Sequence, residues 1–211
     1  MQDHSQNTPN LPLEILDHIF GFLDNEQPSW ITLKACSAIR DPILRAAIDR
    51  RIYTRIKLNH NEWDDFGISH DEIYQYLSKN RHVANYIRTL DIAIAHDCVE
   101  ESSQWYNQVS SILQIPTSSL ERITLSCRFH IDATRTDGSG NLVSWTVPFA
   151  WSDFPATFRK AFLDCLWSSG IIEASMTRIG GFPLSIFNPC TRLKKLSLLQ
   201  VTCTPWVIYA I

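Results

Sequence analysis

Two short groups of histidine and cysteine have the residue types that zinc binds. His96 and Cys98 follow one expected strand, and Cys127 and His130 follow the next strand along the chain. Side by side, they would offer four side chains that zinc accepts. The single residue between His96 and Cys98 is not a usual spacing for structural zinc, and Cys127 continues an apolar pattern. We therefore expect no metal and no cofactor, and interpret Cys127 as a core cysteine.

Paired carboxylates are the second group that could do chemistry. Asp64-Asp65 and Glu100-Glu101 are adjacent in sequence, so each pair points its side chains in different directions, as expected of solvated turns. The chain has no Gly-x-Ser-x-Gly and no His-Glu-x-x-His pattern, and Gly180-Gly181 stands alone without a phosphate-binding lysine. We expect no catalytic residues. An enzyme on an unfamiliar α/β fold stays open as a third alternative.

Composition excludes several classes of partner. Lys+Arg at 19 against Asp+Glu at 22 gives a net charge of −3, which lacks the basic excess of a nucleic-acid-binding surface. The first ten residues contain no signal-peptide core, and no run approaches the roughly 20 apolar residues that cross a bilayer. Six scattered cysteines without a CxxC pattern indicate reduced thiols. The sequence predicts a cytoplasmic or nuclear protein with no nucleic acid or membrane partner.

The N-terminal region predicts three helices. Asn10 can cap the first, Pro12 suits its first turn, and Glu14 complements the helix dipole. Pro28 and Asp41-Pro42 can open the second and third. Apolar residues recur at helical spacing in the first helix: Leu13, Leu16, Ile19, Phe20 and Leu23.

These residues carry a resemblance to a known family. The run Leu11-Pro12-Leu13-Glu14-Ile15-Leu16, then Ile19-Phe20-x-Phe22-Leu23, then Leu33-x-x-Cys36-Ser37, resembles an F-box over residues 10–55. The resemblance implies a trihelical unit that docks on the Skp adaptor of an SCF (cullin-RING) ubiquitin ligase. By the same resemblance, the adaptor-binding residues are Leu11, Pro12, Ile15, Leu16, Ile19, Phe20, Leu33 and Cys36.

The rest of the chain repeats one pattern, apolar-x-x-apolar-x-apolar, each time after a helical stretch. Its four copies begin at Ile87, Leu120, Ile171 and Leu193. The pattern resembles leucine-rich repeats of the irregular kind, whose strands stack in parallel while helices cover the other face.

The expected fold class is α+β or α/β: an F-box-like helical module, then an irregular leucine-rich solenoid with parallel strands, incomplete at the C-terminus because no polar cap follows Leu198. Alternation from Ile52 onward predicts a strand that leaves the third helix. The predicted boundaries are 1–9 disordered, 10–55 F-box-like, 56–68 linker and 69–211 repeat array, with a hairpin insertion at about 128–149.

The order of F-box-like helices and leucine-rich repeats is similar to that of fungal F-box proteins. It implies a non-catalytic adaptor that docks on the Skp adaptor and presents a target protein. Trp145 and Trp151, in and beside the insertion, are candidates for target binding because tryptophan often anchors interfaces. The alternative is a leucine-rich interaction scaffold whose N-terminal helices only cap the array.

Overall fold

A computed structural model gives the architecture of most of the chain. It describes Ile15 and residues 42–60, 70–95, 102–128, 132–136, 142–146, 149–168 and 170–204. The chain divides into two compact units, residues 1–52 and 53–211.

The first unit is described at Ile15, which is helical, and in most of helix α1, Pro42–Tyr53. Helix α1 begins at a proline, whose missing N–H costs nothing in a first turn. Ala47 and Ile48 are buried one turn before the unit ends. The buried carboxylate of Asp49 lies 3.4 Å from Nε of Arg45, one turn earlier in the helix.

The second unit is built around a five-stranded parallel sheet. Its strands are β1 (Arg55–Asn59), β2 (Thr89–Ala95), β3 (Arg122–Arg128), β7 (Glu173–Thr177) and β10 (Lys195–Leu199). They lie in the order β1-β2-β3-β7-β10, which is also their order along the chain. The expected α/β class with parallel strands is confirmed at this level.

Helical segments connect successive strands of the sheet. They are α2 (His70–Lys79), a 3-10 helix (Arg81–Tyr86), α3 (Ser102–Leu113), a second 3-10 helix (Trp151–Asp153), α4 (Ala156–Ser168) and a third 3-10 helix (Leu184–Phe187). Helix α2 contacts α3, and α3 contacts α4, so these helices neighbour each other in chain order. None of the helices in the described ranges is long and apolar enough to cross a membrane.

The strand register aligns the apolar residues into two rows. The first row is Ile56, Leu90, Ile123, Ala174 and Leu196; the second is Leu58, Ile92, Leu125, Met176 and Leu198. Alternate residues of a strand share one face, so both rows lie on the same face of the sheet. The four members of each row before β10 are at most 4% exposed, which makes this face part of the core.

Aromatic rings form the centre of the helical layer. Phe158 in α4 is fully buried, and its ring lies 5.3 Å from the ring of Tyr106 in α3 and 5.4 Å from that of Phe154. Trp105 in α3 joins this cluster and donates its indole N–H to the carbonyl of Asn59 at 3.2 Å. Aromatic packing joins α3 to α4, and one partly buried hydrogen bond joins α3 to the end of β1.

Short strands complete the second unit. Strands β4 (Asp132–Thr136) and β5 (Leu142–Thr146) pair antiparallel, within the range where the sequence predicts a hairpin. Strand β6 (Phe149–Ala150) pairs with β8 (Ile179–Gly180), and β9 (Phe182–Pro183) pairs with β11 (Cys203–Thr204), both in parallel.

A left-handed residue follows each of the last two sheet strands. Arg178, after β7, has φ of 59°, and Gln200, after β10, has φ of 53°. The two residues are linked, because Nε of Arg178 donates to Oε1 of Gln200 at 2.8 Å. The same local turn thus occurs after two successive strands.

The connection after α1 differs from the sequence-based expectation. Helix α1 continues to Tyr53, so Ile52 is helical, and the strand begins at Arg55. That strand is not part of a linker at 56–68 but the first strand of the sheet, because Ile56 and Leu58 align with Leu90 and Ile92. Two apolar residues in alternation are enough to join a sheet when a longer neighbouring strand supplies the register.

Candidate protein-interaction surface

The face of the sheet opposite the apolar rows is accessible. We call it the polar face and define it by three positions in each of the five strands. Its residues are Arg55, Lys57, Asn59, Thr89, Asp91, Ala93, Arg122, Thr124, Ser126, Glu173, Ser175, Thr177, Lys195, Ser197 and Leu199. Every one except Ala93 is at least partly exposed. Because thirteen of the fifteen residues are polar or charged, water or a protein partner can form hydrogen bonds with this face.

Ion pairs run along one end of the polar face and its flank, where the strands begin. Each neighbouring pair of strands is joined by one pair of opposite charges. They are Arg55–Asp91 at 2.6 Å, Arg88–Glu121 at 3.0 Å, Arg122–Glu173 at 2.8 Å and Lys195–Glu173 at 3.9 Å. The cation of each pair is at least half exposed, so each pair contributes little to stability. Together the pairs fix the charge pattern that a partner would meet.

The middle of the polar face is neutral and rich in hydroxyl groups. Thr124, Ser126, Ser175, Thr177 and Ser197 occupy neighbouring positions on β3, β7 and β10. A hydroxyl both donates and accepts hydrogen bonds, so this area can adapt to the polar groups of a partner. The carboxylates among the fifteen positions are Asp91 and Glu173, and each forms an ion pair with an arginine of the neighbouring strand.

Glu173 is the one carboxylate of the polar face that contacts two cations. The hydrogen bond donated by Arg122 is the main reason why the pKa of Glu173 lies below its ordinary value of 4.5. Desolvation is the next largest effect and raises the pKa, and the positive charges of Arg122 and Lys195 lower it further. Its contribution to folding is therefore present above the pKa of the unfolded chain and is lost as the pH falls through the lower pKa of the folded state.

We expect Glu173→Gln to lower the free energy of unfolding at pH 7, because glutamine keeps the shape but loses the charge. The difference from the parent should narrow as the pH falls below 4.5 and vanish below the folded-state pKa. Urea unfolding at a series of pH values measures it. Arg122→Gln should remove most of the same pH dependence, and a constant difference between pH 7 and about pH 3 would contradict this assignment.

The adaptor-binding residues implied by the F-box resemblance are described at one position. Ile15 lies in a helix and its side chain is 46% exposed. The others, Leu11, Pro12, Leu16, Ile19, Phe20, Leu33 and Cys36, lie outside the described residues.

The two candidate target-binding tryptophans differ in what the structure shows of them. Trp151 is 7% exposed, and its ring lies 5.0 Å from the ring of Phe182 and 5.9 Å from that of Phe162. Its side chain therefore packs inside the second unit and is not available as a surface anchor. Trp145 lies in β5 opposite Ala133, and its side chain is outside the described part of the structure.

The histidine and cysteine groups do not provide a described metal site. Cys127 is 1% exposed, and burial raises the pKa of its thiol to about 12, which makes it a poor ligand and nucleophile. His96, Cys98 and His130 lie outside the described residues. Within the described ranges, no group of three histidines, cysteines or carboxylates could hold a metal ion.

Two features of the surface were missed from sequence. The ion pairs between strands were not predicted, although the motif copies at β3 and β7 place a charged residue just before the second apolar position, at Arg122 and Glu173. The exposed edge at β10 was also missed as a surface. The sequence feature that could have indicated this edge is the one-sided charge of the C-terminal region, in which no aspartate or glutamate follows Glu173.

The described elements define an α/β protein whose parallel sheet follows chain order and leaves a polar face accessible. Comparison with protein-family models, with curated proteins and with solved structures found no match.

Proposed function

We propose that this protein is a non-catalytic adaptor that binds the Skp adaptor of an SCF ubiquitin ligase through residues 10–55 and binds a target protein through the second unit. The observation that carries target recognition in this proposal is the polar face: a broad, accessible sheet surface opposite an apolar face that is buried in β1, β2, β3 and β7. The polar face and the F-box-like segment belong to different units of the chain, apart from the last few residues of that segment.

The docking half of the proposal is supported by the F-box-like motif and by Ile15. An isoleucine on a helix that is 46% exposed leaves apolar surface for a partner to cover. Ile15 lies in the Leu-Pro-x-Glu-Ile helix that the resemblance assigns to the Skp adaptor.

The regularity of the sheet supports the interpretation of the second unit as a repeat array. The five strands of the sheet are parallel and sequential, each follows a helical segment, and a left-handed residue follows both β7 and β10. We infer from this that the second unit is an irregular leucine-rich array. Such arrays offer an extended sheet face to a protein partner.

An adaptor of this kind needs no catalytic group. Holding a target close to a ubiquitin-conjugating enzyme raises the effective concentration of target lysines, and other subunits perform the transfer. The neutral, hydroxyl-rich centre of the polar face is compatible with that role. Function in the cytoplasm or nucleus, where the ligase subunits are available, belongs to the same proposal.

Hydrogen exchange tests where the Skp adaptor binds. Adding purified Skp adaptor to the full chain should slow amide exchange in residues 11–20 and leave β3 unchanged, because docking covers the first helix and not the sheet. The triple variant Leu11→Ala, Pro12→Ala, Ile15→Ala should lose this protection. The control Thr124→Ala with Ser175→Ala, on the polar face, should keep it.

Protection that appears in β3 instead, or that survives in the triple variant, would contradict docking through the first helix. Circular dichroism of each variant verifies that the secondary structure is retained.

A further inference from the structure

The last strand of the sheet, β10, leaves both apolar rows exposed. Leu196 is 40% exposed and Leu198 is 37% exposed, whereas the other members of their rows are at most 4% exposed. The next residue, Leu199, lies on the polar face and is 59% exposed. The apolar face of the sheet therefore continues to its edge without being covered there by the described residues.

Among the residues that the structure describes, the backbone of β10 also has a neighbouring strand on one side only. Strand β10 pairs with β7, and no other described strand of the sheet lies beside it. An edge strand presents N–H and C=O groups that a further extended segment can bond. Apolar side chains and backbone hydrogen-bonding groups are thus exposed along the same edge, which is the combination used in strand addition.

The charge at this edge is one-sided. Residues 174–211 contain Arg178, Arg192, Lys194 and Lys195 but no aspartate or glutamate, although the whole chain has a net charge of −3. Each neighbouring strand pair in the sheet is joined by opposite charges. Lys195 is the last charge in that series, its side chain is 68% exposed, and its carboxylate partner Glu173 is already bonded to Arg122. A further strand would complete the series by placing a carboxylate beside Lys195.

We propose that the edge of β10 binds an extended peptide of acidic and apolar character, added as a sixth parallel strand. An acidic residue lies beside Lys195, and the two apolar residues that follow it in alternation extend the rows over Leu196 and Leu198. This is the pattern that β7 presents to β10 on its other side, where Glu173, Ala174 and Met176 align with the same three residues. The inference stands whether or not residues 10–55 bind the Skp adaptor.

A second copy of the chain fits this edge less well. Two copies meeting edge to edge through a two-fold axis would bring the same residues from both sides. The charged side chains after Glu173 are all basic. Neither Lys194 nor Lys195 would therefore gain a carboxylate from a second copy. Charge complementarity therefore favours an acidic peptide.

The test is a fluorescence anisotropy titration of the full chain into a labelled synthetic peptide of two acidic residues followed by leucine, serine and leucine. The parent should bind it, with affinity that falls as ionic strength rises. Lys194→Glu with Lys195→Glu should weaken binding at least about tenfold, because two charge-assisted contacts become repulsions.

The control Lys79→Glu with Arg81→Glu makes the same change in net charge at exposed positions before β2 and should change affinity less than about twofold. Hydrogen exchange should slow in β10 when the peptide is added to the parent. Circular dichroism establishes that both variants stay folded.

Three results would overturn the proposal. The first is no binding by the parent up to about 1 mM peptide, the affinity range of contacts too weak to be specific. The second is equal weakening in both double variants. The third is a parent that forms dimers by light scattering and loses them in the Leu198→Lys variant, because a second copy would then be the occupant of the edge.

Discussion

Replacing Phe158 with alanine should lower the free energy of unfolding by about 3–5 kcal/mol. Its side chain is fully buried, and its ring lies within 6.5 Å of the rings of Trp105, Tyr106, Phe154 and Phe162. Alanine would leave a cavity where α3 and α4 meet, which these rings cannot fill without leaving their own positions. Urea unfolding followed by circular dichroism measures the change.

Tyr74→Ala is the matched control for Phe158→Ala. Tyr74 is an aromatic residue on helix α2 and is 39% exposed, so its truncation should cost less than about 1 kcal/mol. Equal losses for the two variants would mean that the aromatic cluster does not hold the helical layer together.

The second large effect on the free energy of unfolding is expected for alanine substitutions within one apolar row. Leu125 in β3 and Leu198 in β10 occupy the same row, but Leu125 is fully buried whereas Leu198 is 37% exposed. Leu125→Ala should lower the free energy of unfolding by about 2–5 kcal/mol, because the centre of the row cannot close around the cavity. Leu198→Ala should cost about 1 kcal/mol, because water already reaches that side chain.

The two variants differ only in the position of the leucine in the sheet, because both leucines lie in strands and in the same apolar row. Denaturant unfolding of both variants gives the comparison. A cost at Leu198 as large as that at Leu125 would show that the edge of β10 is covered in the folded protein, and would also contradict an open edge for peptide binding.

The strands of the sheet were largely predictable because their apolar residues alternate. The pattern Leu120-x-x-Ile123-x-Leu125 predicts a half-buried strand, and β3 occupies that position. Parallel pairing was expected from the helical stretch before each copy of the pattern. The array as a leucine-rich solenoid, in contrast, remains a proposal, because the class of the sheet is confirmed and its wider assembly is not.

The features that could not be predicted from sequence depend mostly on packing between residues that are distant along the chain. Alternation at Ile56 and Leu58 was too short to show that β1 belongs to the sheet, which depends on the register with β2. The burial of Trp151 depends on Phe182, which is thirty-one residues later, so spacing along the chain could not predict it. Tryptophan is common both in cores and in interfaces, and only the fold distinguishes the two.

The candidate surface was only partly predictable for a similar reason. The first, third and fifth residues of the strands are mostly polar, which indicates an accessible face. The ion pair between Arg122 and Glu173, however, joins residues fifty-one positions apart. Such a pair follows from the register of β3 and β7 and not from local sequence. The F-box-like motif is local, so the resemblance can be drawn from sequence alone, and binding of the Skp adaptor through it stays a proposal.

The most direct test of the adaptor proposal is size-exclusion chromatography with light scattering of the full chain mixed with purified Skp adaptor. The proposal requires a complex whose mass equals one copy of each protein, and separate peaks when the chain carries Leu11→Ala, Pro12→Ala and Ile15→Ala. A folded parent chain that elutes apart from the Skp adaptor at micromolar concentrations would contradict the proposed function.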